Sequence, residues 1–121
     1  MILVDTSIWI DHFRKTDKNL QNLLLDEKVS THKLIVGELA CGNLSNRKEI
    51  LGLLNLLPQT KVISDDEVLQ FIELNKLYGT GLGFIDVHLL ASALISDVEL
   101  WTNDKRLEQA ATKLHCSYKL K

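Results

Sequence analysis

The sequence predicts an α/β fold, a three-layer α/β/α sandwich around a central parallel sheet of four to five strands. Three observations predict it. Short apolar or β-branched runs alternate with segments of helical period along the chain, and strands separated by helices pair in parallel through crossovers. The first run, Ile2-Leu3-Val4, is apolar without interruption, as suits a strand covered on both faces. No repeat or linker divides the 121 residues, a length that fits one compact domain over residues 1–121.

Each element has its own signal. Ile2–Val4 stops at Asp5-Thr6-Ser7, after which Ile8, Trp9 and Phe13 recur at helical spacing. The stretch from Asp17 to Glu27 carries Leu20, Leu23 and Leu24 in the same rhythm, and Val29-Ser30-Thr31 reads as a second strand. A helix runs from Lys33 to Gly42, where Gly42-Asn43 makes a natural stop. Another spans Asn46 to Leu57 and ends before Pro58. Lys61-Val62-Ile63 reads as a third strand. Ser64, with Glu67 three residues later, opens a helix to Tyr78 with a capping-box signature. Gly79, Gly81 and Gly83 then break the chain; with no strand directly before them they suit a flexible link, not a dinucleotide loop. A helix over Phe84–Ser96, a strand over Glu99–Thr102 and a helix over Asp104–Lys113 follow, and His115–Tyr118 adds an edge strand.

Composition removes several classes of function. No apolar run approaches the roughly 20 residues of a membrane span, and no basic segment precedes Met1-Ile2-Leu3-Val4, so neither a membrane protein nor a signal peptide is expected. Cys41 and Cys116 belong to no C-x-x-C pair, which excludes a zinc ribbon or disulfide framework; both read as small core residues in a reducing cytoplasm. His12, His32, His88 and His115 lack zinc-helix spacing, and His88 reads as a packing or surface residue. The net charge of −2 gives no global basic field. RNA or DNA would have to be held by local patches or bound cations.

The acids carry the chemistry. Asp5 follows the first strand and Asp104 the fourth, so both open onto the carboxyl edge of a parallel sheet, where function collects. Each could equally be a helix N-cap. Glu38 shares a helix face with Leu34, Ile35 and Cys41, and Asp86 shares one with Leu89, Leu90 and Ala93. A carboxylate on such a stripe costs several kcal/mol to bury unless it is paired or coordinated. Asp86 could instead cap its helix, and Glu38 could lie at the edge of its stripe. Four acids in one cleft repel one another unless divalent cations sit between them. Oxygen-only ligation favours Mg²⁺ or Mn²⁺ over zinc, and the reaction suggested is phosphodiester hydrolysis by metal-activated water. Ser7 and Thr102 lie close enough in sequence to Asp5 and Asp104 to hydrogen-bond a carboxylate, or to be ordinary turn hydroxyls.

Taken together, Asp5-Thr6-Ser7, Val36-Gly37-Glu38-Leu39, Gly83-Phe84-Ile85-Asp86-Val87-His88-Leu89-Leu90-Ala91 and Leu100-Trp101-Thr102-Asn103-Asp104 resemble the PIN-domain pattern. The size is similar to that of VapC-type ribonuclease toxins. The resemblance spans essentially the whole chain. It implies a Mg²⁺- or Mn²⁺-dependent endoribonuclease with Asp5, Glu38, Asp86 and Asp104 at the catalytic, metal-binding positions and Ser7 and Thr102 at the hydroxyl positions. It further implies RNA substrates of the tRNA or rRNA class, a homodimer and a cognate antitoxin. Asn103 and Lys105-Arg106 flank Asp104 where some relatives carry further acids, which implies a weaker second metal position.

Basic residues at Lys105, Arg106, Arg14 and Lys15 are the candidates for RNA contacts, although such runs are ordinarily solvated surface. Trp9, Ile10, Leu20, Leu23 and Leu24 supply either core or a groove for a partner's segment. Two rival readings stay open: a PIN-like module that binds RNA or a partner without cleaving, and a receiver-type phospho-acceptor. The receiver lacks support in the acidic pair it needs after the first strand, where only Asp5 stands.

Overall fold

The computed structural model describes residues 1–120. Strand β1 (Ile2–Val4) forms the middle of a parallel sheet, between β2 (Val29–Ser30) and β3 (Glu99–Trp101). Ile2 pairs with Val29 and Glu99, Leu3 with Ser30 and Leu100, and Val4 with Trp101. All of β1 is buried, which explains why its sequence is apolar on both faces.

Three strands are fewer than the expected four to five, and the reason lies at the edges. Single parallel bridges join Thr31 to Gln59 and Leu100 to Ser117, so the outer positions are marked but do not grow into ladders. The strand expected at Lys61–Ile63 is therefore absent. Pairing occurs just upstream, where the Thr60 N–H donates to the Thr31 carbonyl, and Ser96 Oγ then takes the Lys61 N–H. The expected His115–Tyr118 strand likewise shrinks to the bridge at Ser117.

Helices α1 (Thr6–Arg14), α2 (Lys18–Leu25), α3 (Lys33–Cys41), α4 (Arg47–Leu56), α5 (Asp65–Leu74), α6 (Phe84–Ile95) and α7 (Lys105–Lys113) complete the fold. The chain does not alternate throughout, because α3 to α6 follow one another between β2 and β3. Ser64 caps α5 as its sequence predicts, accepting from the Glu67 N–H. That helix stops at Leu74, short of Tyr78, and Lys76 just beyond it adopts a left-handed φ of 50°. Helix α6 is buried from Val87 through Ala93. It packs on β3, α5 and α7, while α3 packs on α1 and α4.

One hydrophobic core joins Leu3, Val4, Leu20, Ile35, Leu89, Leu90, Leu100 and Leu107. Trp9 and Leu20 belong to it, so of Trp9, Ile10, Leu20, Leu23 and Leu24 only Ile10 is exposed, with Leu23 and Leu24 half-buried. Cys116 is buried as expected, but Cys41 is exposed, because the face of α3 that it shares with Glu38 turns to solvent. Among the described residues, no helix is long and apolar enough to cross a membrane.

Candidate active site

Asp5 ends the central strand and begins α1. Its φ of −70° and ψ of 158° are those of an N-cap, yet its side chain makes no cap bond. The carboxylate is taken up elsewhere. Ser7 Oγ donates to Asp5 Oδ2 at 3.1 Å and Thr102 Oγ1 donates to the same oxygen at 2.7 Å. Both hydroxyls are themselves oriented by the turn after β3: the Asn103 N–H donates to Ser7 Oγ and the Asp104 N–H to Thr102 Oγ1. Two backbone amides thus occupy the hydroxyl lone pairs and leave the hydroxyl protons for Asp5. The two donated bonds hold the Asp5 carboxylate in one orientation. Asp5 is buried, so these bonds replace hydrogen bonds to water that it gives up on folding.

Asp86 lies in the first turn of α6 and is half-buried. Its Oδ2 accepts from the Gly83 N–H at 3.1 Å, so it does act as a cap. Burial pushes its carboxyl above the usual carboxylate range; the Gly83 N–H opposes this, and the charges of Asp5 and Asp104 add to it. Asp86 therefore feels both strand-end acids, brought together from positions far apart in the chain. Asp104 caps α7 by accepting from the Arg106 and Leu107 N–H groups through Oδ1, which leaves Oδ2 unspent on the cap. For Asp86 and Asp104, capping and clustering are compatible uses of one side chain.

Glu38 departs from expectation. It is exposed, because the apolar stripe of α3 passes through Ile35 and Leu39 and leaves Glu38 outside it. Thr6 Oγ1 donates to Glu38 Oε1 at 2.9 Å and ties it to the turn that carries Asp5. Thr6 was not singled out by the sequence, although it stands between Asp5 and Ser7. Asn103 is the other unanticipated contributor: its Nδ2 donates to Asp11 Oδ2 at 2.8 Å and clasps the β3–α7 turn to α1.

Among the described residues, no three His, Cys, Asp or Glu side chains converge closely enough to hold one ion by themselves. A dehydrated all-protein cage is therefore not what these acids make. Mg²⁺ does not require one, since it commonly keeps several waters and takes only one or two carboxylates from the protein. The all-oxygen donors and the mutual repulsion at Asp86 fit such a hydrated cation.

The basic candidates surround this edge unevenly. Lys105 and Arg106 open α7 and are exposed. The Arg106 guanidinium lies over the glycine segment, so close that a Cβ on Gly81 would fall 2.8 Å from a guanidinium nitrogen. Gly81 has a φ of 85°, a second reason why no side chain suits that position. Arg14 lines the same cavity as Glu38, while Lys15, at the exposed end of α1, is only its C-cap. His88 is buried, its Nε2 2.9 Å from Asp65 Oδ1 and its ring edge-on to Phe84.

A family model described as PIN domain matches residues 2–113. The chain is similar to Ribonuclease VapC32 of Mycobacterium tuberculosis, in both strain CDC 1551 / Oshkosh and strain ATCC 25618 / H37Rv. The identity is 46% over 114 residues, covering 93% of this chain and 92% of the relative. Among solved structures it is similar to the crystal structure of PAE2754 from Pyrobaculum aerophilum. That match has a TM-score of 0.62 and 19% identity, and covers 90% of this chain and 83% of the other. At that identity the likeness speaks for the fold.

Proposed function

This chain belongs to the PIN domain family, and we propose that it is a Mg²⁺- or Mn²⁺-dependent endoribonuclease, the toxin of a type II toxin–antitoxin pair. One observation carries the reading: Asp5 and Asp104 both act on the carboxyl of Asp86 at the carboxyl edge of the sheet. The name Ribonuclease VapC32, borne by the relative, supports the same substrate.

Asp5, Asp86 and Asp104 would share a hydrated ion, one or two of them ligating it and the rest bonding its waters, with Glu38 reaching the same edge from α3. A bound Mg²⁺ or Mn²⁺ would supply positive charge for the phosphodiester oxygens and lower the pKa of a water. Ser7 and Thr102 fix the Asp5 carboxylate in place through Oδ2, which leaves its Oδ1 available. The Asp86 carboxyl, pushed up by burial and by its neighbours, loses that penalty once a cation is beside it. Lys105 and Arg106, with Arg14 and Lys15 as further candidates, would contact RNA phosphates without specifying sequence.

Two apolar surfaces suit the partners of such a protein. A groove of about 400 Å³ is lined by Trp9, Phe13, Leu24, Leu53 and Leu56, and we assign it to an apolar segment of the antitoxin. Helices α5 and α6 expose Leu69, Leu74, Leu94 and Ile95 beside a second groove; we assign this face to a homodimer contact. The cytoplasm is the compartment in which RNA targets and unpaired Cys41 and Cys116 are both at home.

Purified protein should cut RNA only with Mg²⁺ or Mn²⁺, stop in EDTA, and leave 5′-phosphate and 3′-hydroxyl ends by end-mapping. Asp5→Asn and Asp86→Asn should each lower the rate by about a hundredfold or more, the scale of removing a preorganised charge. Chelator-resistant cleavage, or full activity in Asp5→Asn, would overturn the assignment. RNA binding without cleavage would instead favour the non-cleaving alternative.

A further inference from the structure

Glu38 lines a cavity of about 530 Å³ between α1, α3 and the loop that enters α4. We propose that this cavity is a subsite for one unpaired nucleobase of the RNA strand, and that it gives the enzyme its base preference. The proposal rests on the ribonuclease reading above and names the part of the substrate that this protein reads.

The volume lies within the range typical of small-ligand sites. The lining is divided as a base requires. Phe13, Leu39 and Ile50 supply an apolar and aromatic wall, against which any base can stack. Asn43 and Asn46 supply amides, each able to donate and accept together, the pairing that reads a base edge. Arg14 adds a cation for the adjoining backbone.

Asn46 is the informative residue. It is the N-cap of α4, where an Asn side chain ordinarily accepts from the first turn. Here its backbone is left-handed, at φ 52° and ψ 43°, and its side chain makes no cap bond. The loop is also fixed beforehand, because the Arg47 guanidinium donates to the carbonyls of Gly42, at 3.1 Å, and of Ala40. A rigid loop loses little entropy on binding. Glu38, bound to Thr6, connects the cavity to the turn of Asp5, so a base seated there lies beside the phosphate to be cut. Duplex RNA does not offer such a base, whereas a loop or bulge does.

The test uses Asp86→Asn protein, so that RNA is bound without being cut, and a fluorescein-labelled hairpin RNA whose loop nucleotides are made abasic one at a time. One loop position should stand out, its abasic form binding about tenfold more weakly. Varying the base at that position should then change the affinity. In protein that also carries Asn43→Ala and Asn46→Gly, the preference among bases should collapse while the thermal melt stays as before, since glycine keeps the left-handed turn. Loss spread evenly over the loop, or a preference unchanged by the double substitution, would overturn the subsite and leave the cavity to a protein segment. The nuclease reading is judged separately, by ion-dependent cleavage in the wild type. A base-specific pocket in a protein that does not cut would support the subsite and sink the nuclease.

Discussion

At Asp86 a helix cap and a crowded charge share one side chain. The Gly83 N–H would bond an amide oxygen as readily as a carboxylate, but an amide carries no charge for Asp5 and Asp104 to repel. Asp86→Asn should therefore raise the melting temperature of the metal-free protein by a few degrees, read by thermal melts in EDTA. In saturating Mg²⁺ the order should reverse, because only the wild type gains the free energy of binding the ion at that carboxylate. A variant less stable than wild type in EDTA would mean that the carboxylate is not strained by its neighbours. The strand-end acids were legible in the sequence because that inference needs only the order of elements. Glu38 was legible as a residue of interest, but its surroundings were not. Its bond to Thr6 spans 32 positions and depends on how α1 and α3 pack, which periodicity does not encode.

Helix α3 begins with a histidine where a serine or aspartate is commoner. His32 is fully buried; its Nδ1 accepts from the Leu34 N–H, so the proton sits on Nε2 and faces Ser92 Oγ at 3.0 Å. Burial first, and the nearby His88 second, hold His32 below the 6.5 usual for histidine. The unfolded chain then takes the proton more readily than the folded one. The stability from neutral His32 is thus complete above pH 6.5 and is lost as the pH falls below it. The melting temperature should drop between about pH 7.5 and pH 5.5, and His32→Asn, which can still cap but does not titrate, should drop less. Parallel curves for the two proteins would remove His32 as the cause. Helices were readable wherever caps and stripes agreed, as in α5 at Ser64. The third strand was misplaced because the Lys61 N–H goes to Ser96, the C-cap of α6, a partner 35 residues away.

At the scale of the molecule, the α/β architecture followed from alternation, while the run of helices from α3 to α6 did not. Nothing local distinguishes a crossover of one helix from a crossover of four. The surface exposed on α5 and α6 is similarly a property of the assembled fold, since Leu74 and Ile95 look like core residues in sequence but are exposed at 82% and 58%. If that face joins two copies, Leu74→Asp with Ile95→Asp should convert the wild-type dimer to a monomer in sedimentation at micromolar concentration, without lowering the helix content. A double variant that remains dimeric would place the contact elsewhere.

The hydrogen bond from Thr102 to Asp5 joins residues 97 positions apart, and β1 waits as long for β3. On a ribosome, Asp5 is thus made long before the hydroxyl that will hold it. A nascent chain stalled or cut short before Trp101 has neither the outer strand nor the hydroxyl that holds Asp5. Unfinished copies of this chain therefore lack the ordered carboxylate around which the candidate site is built.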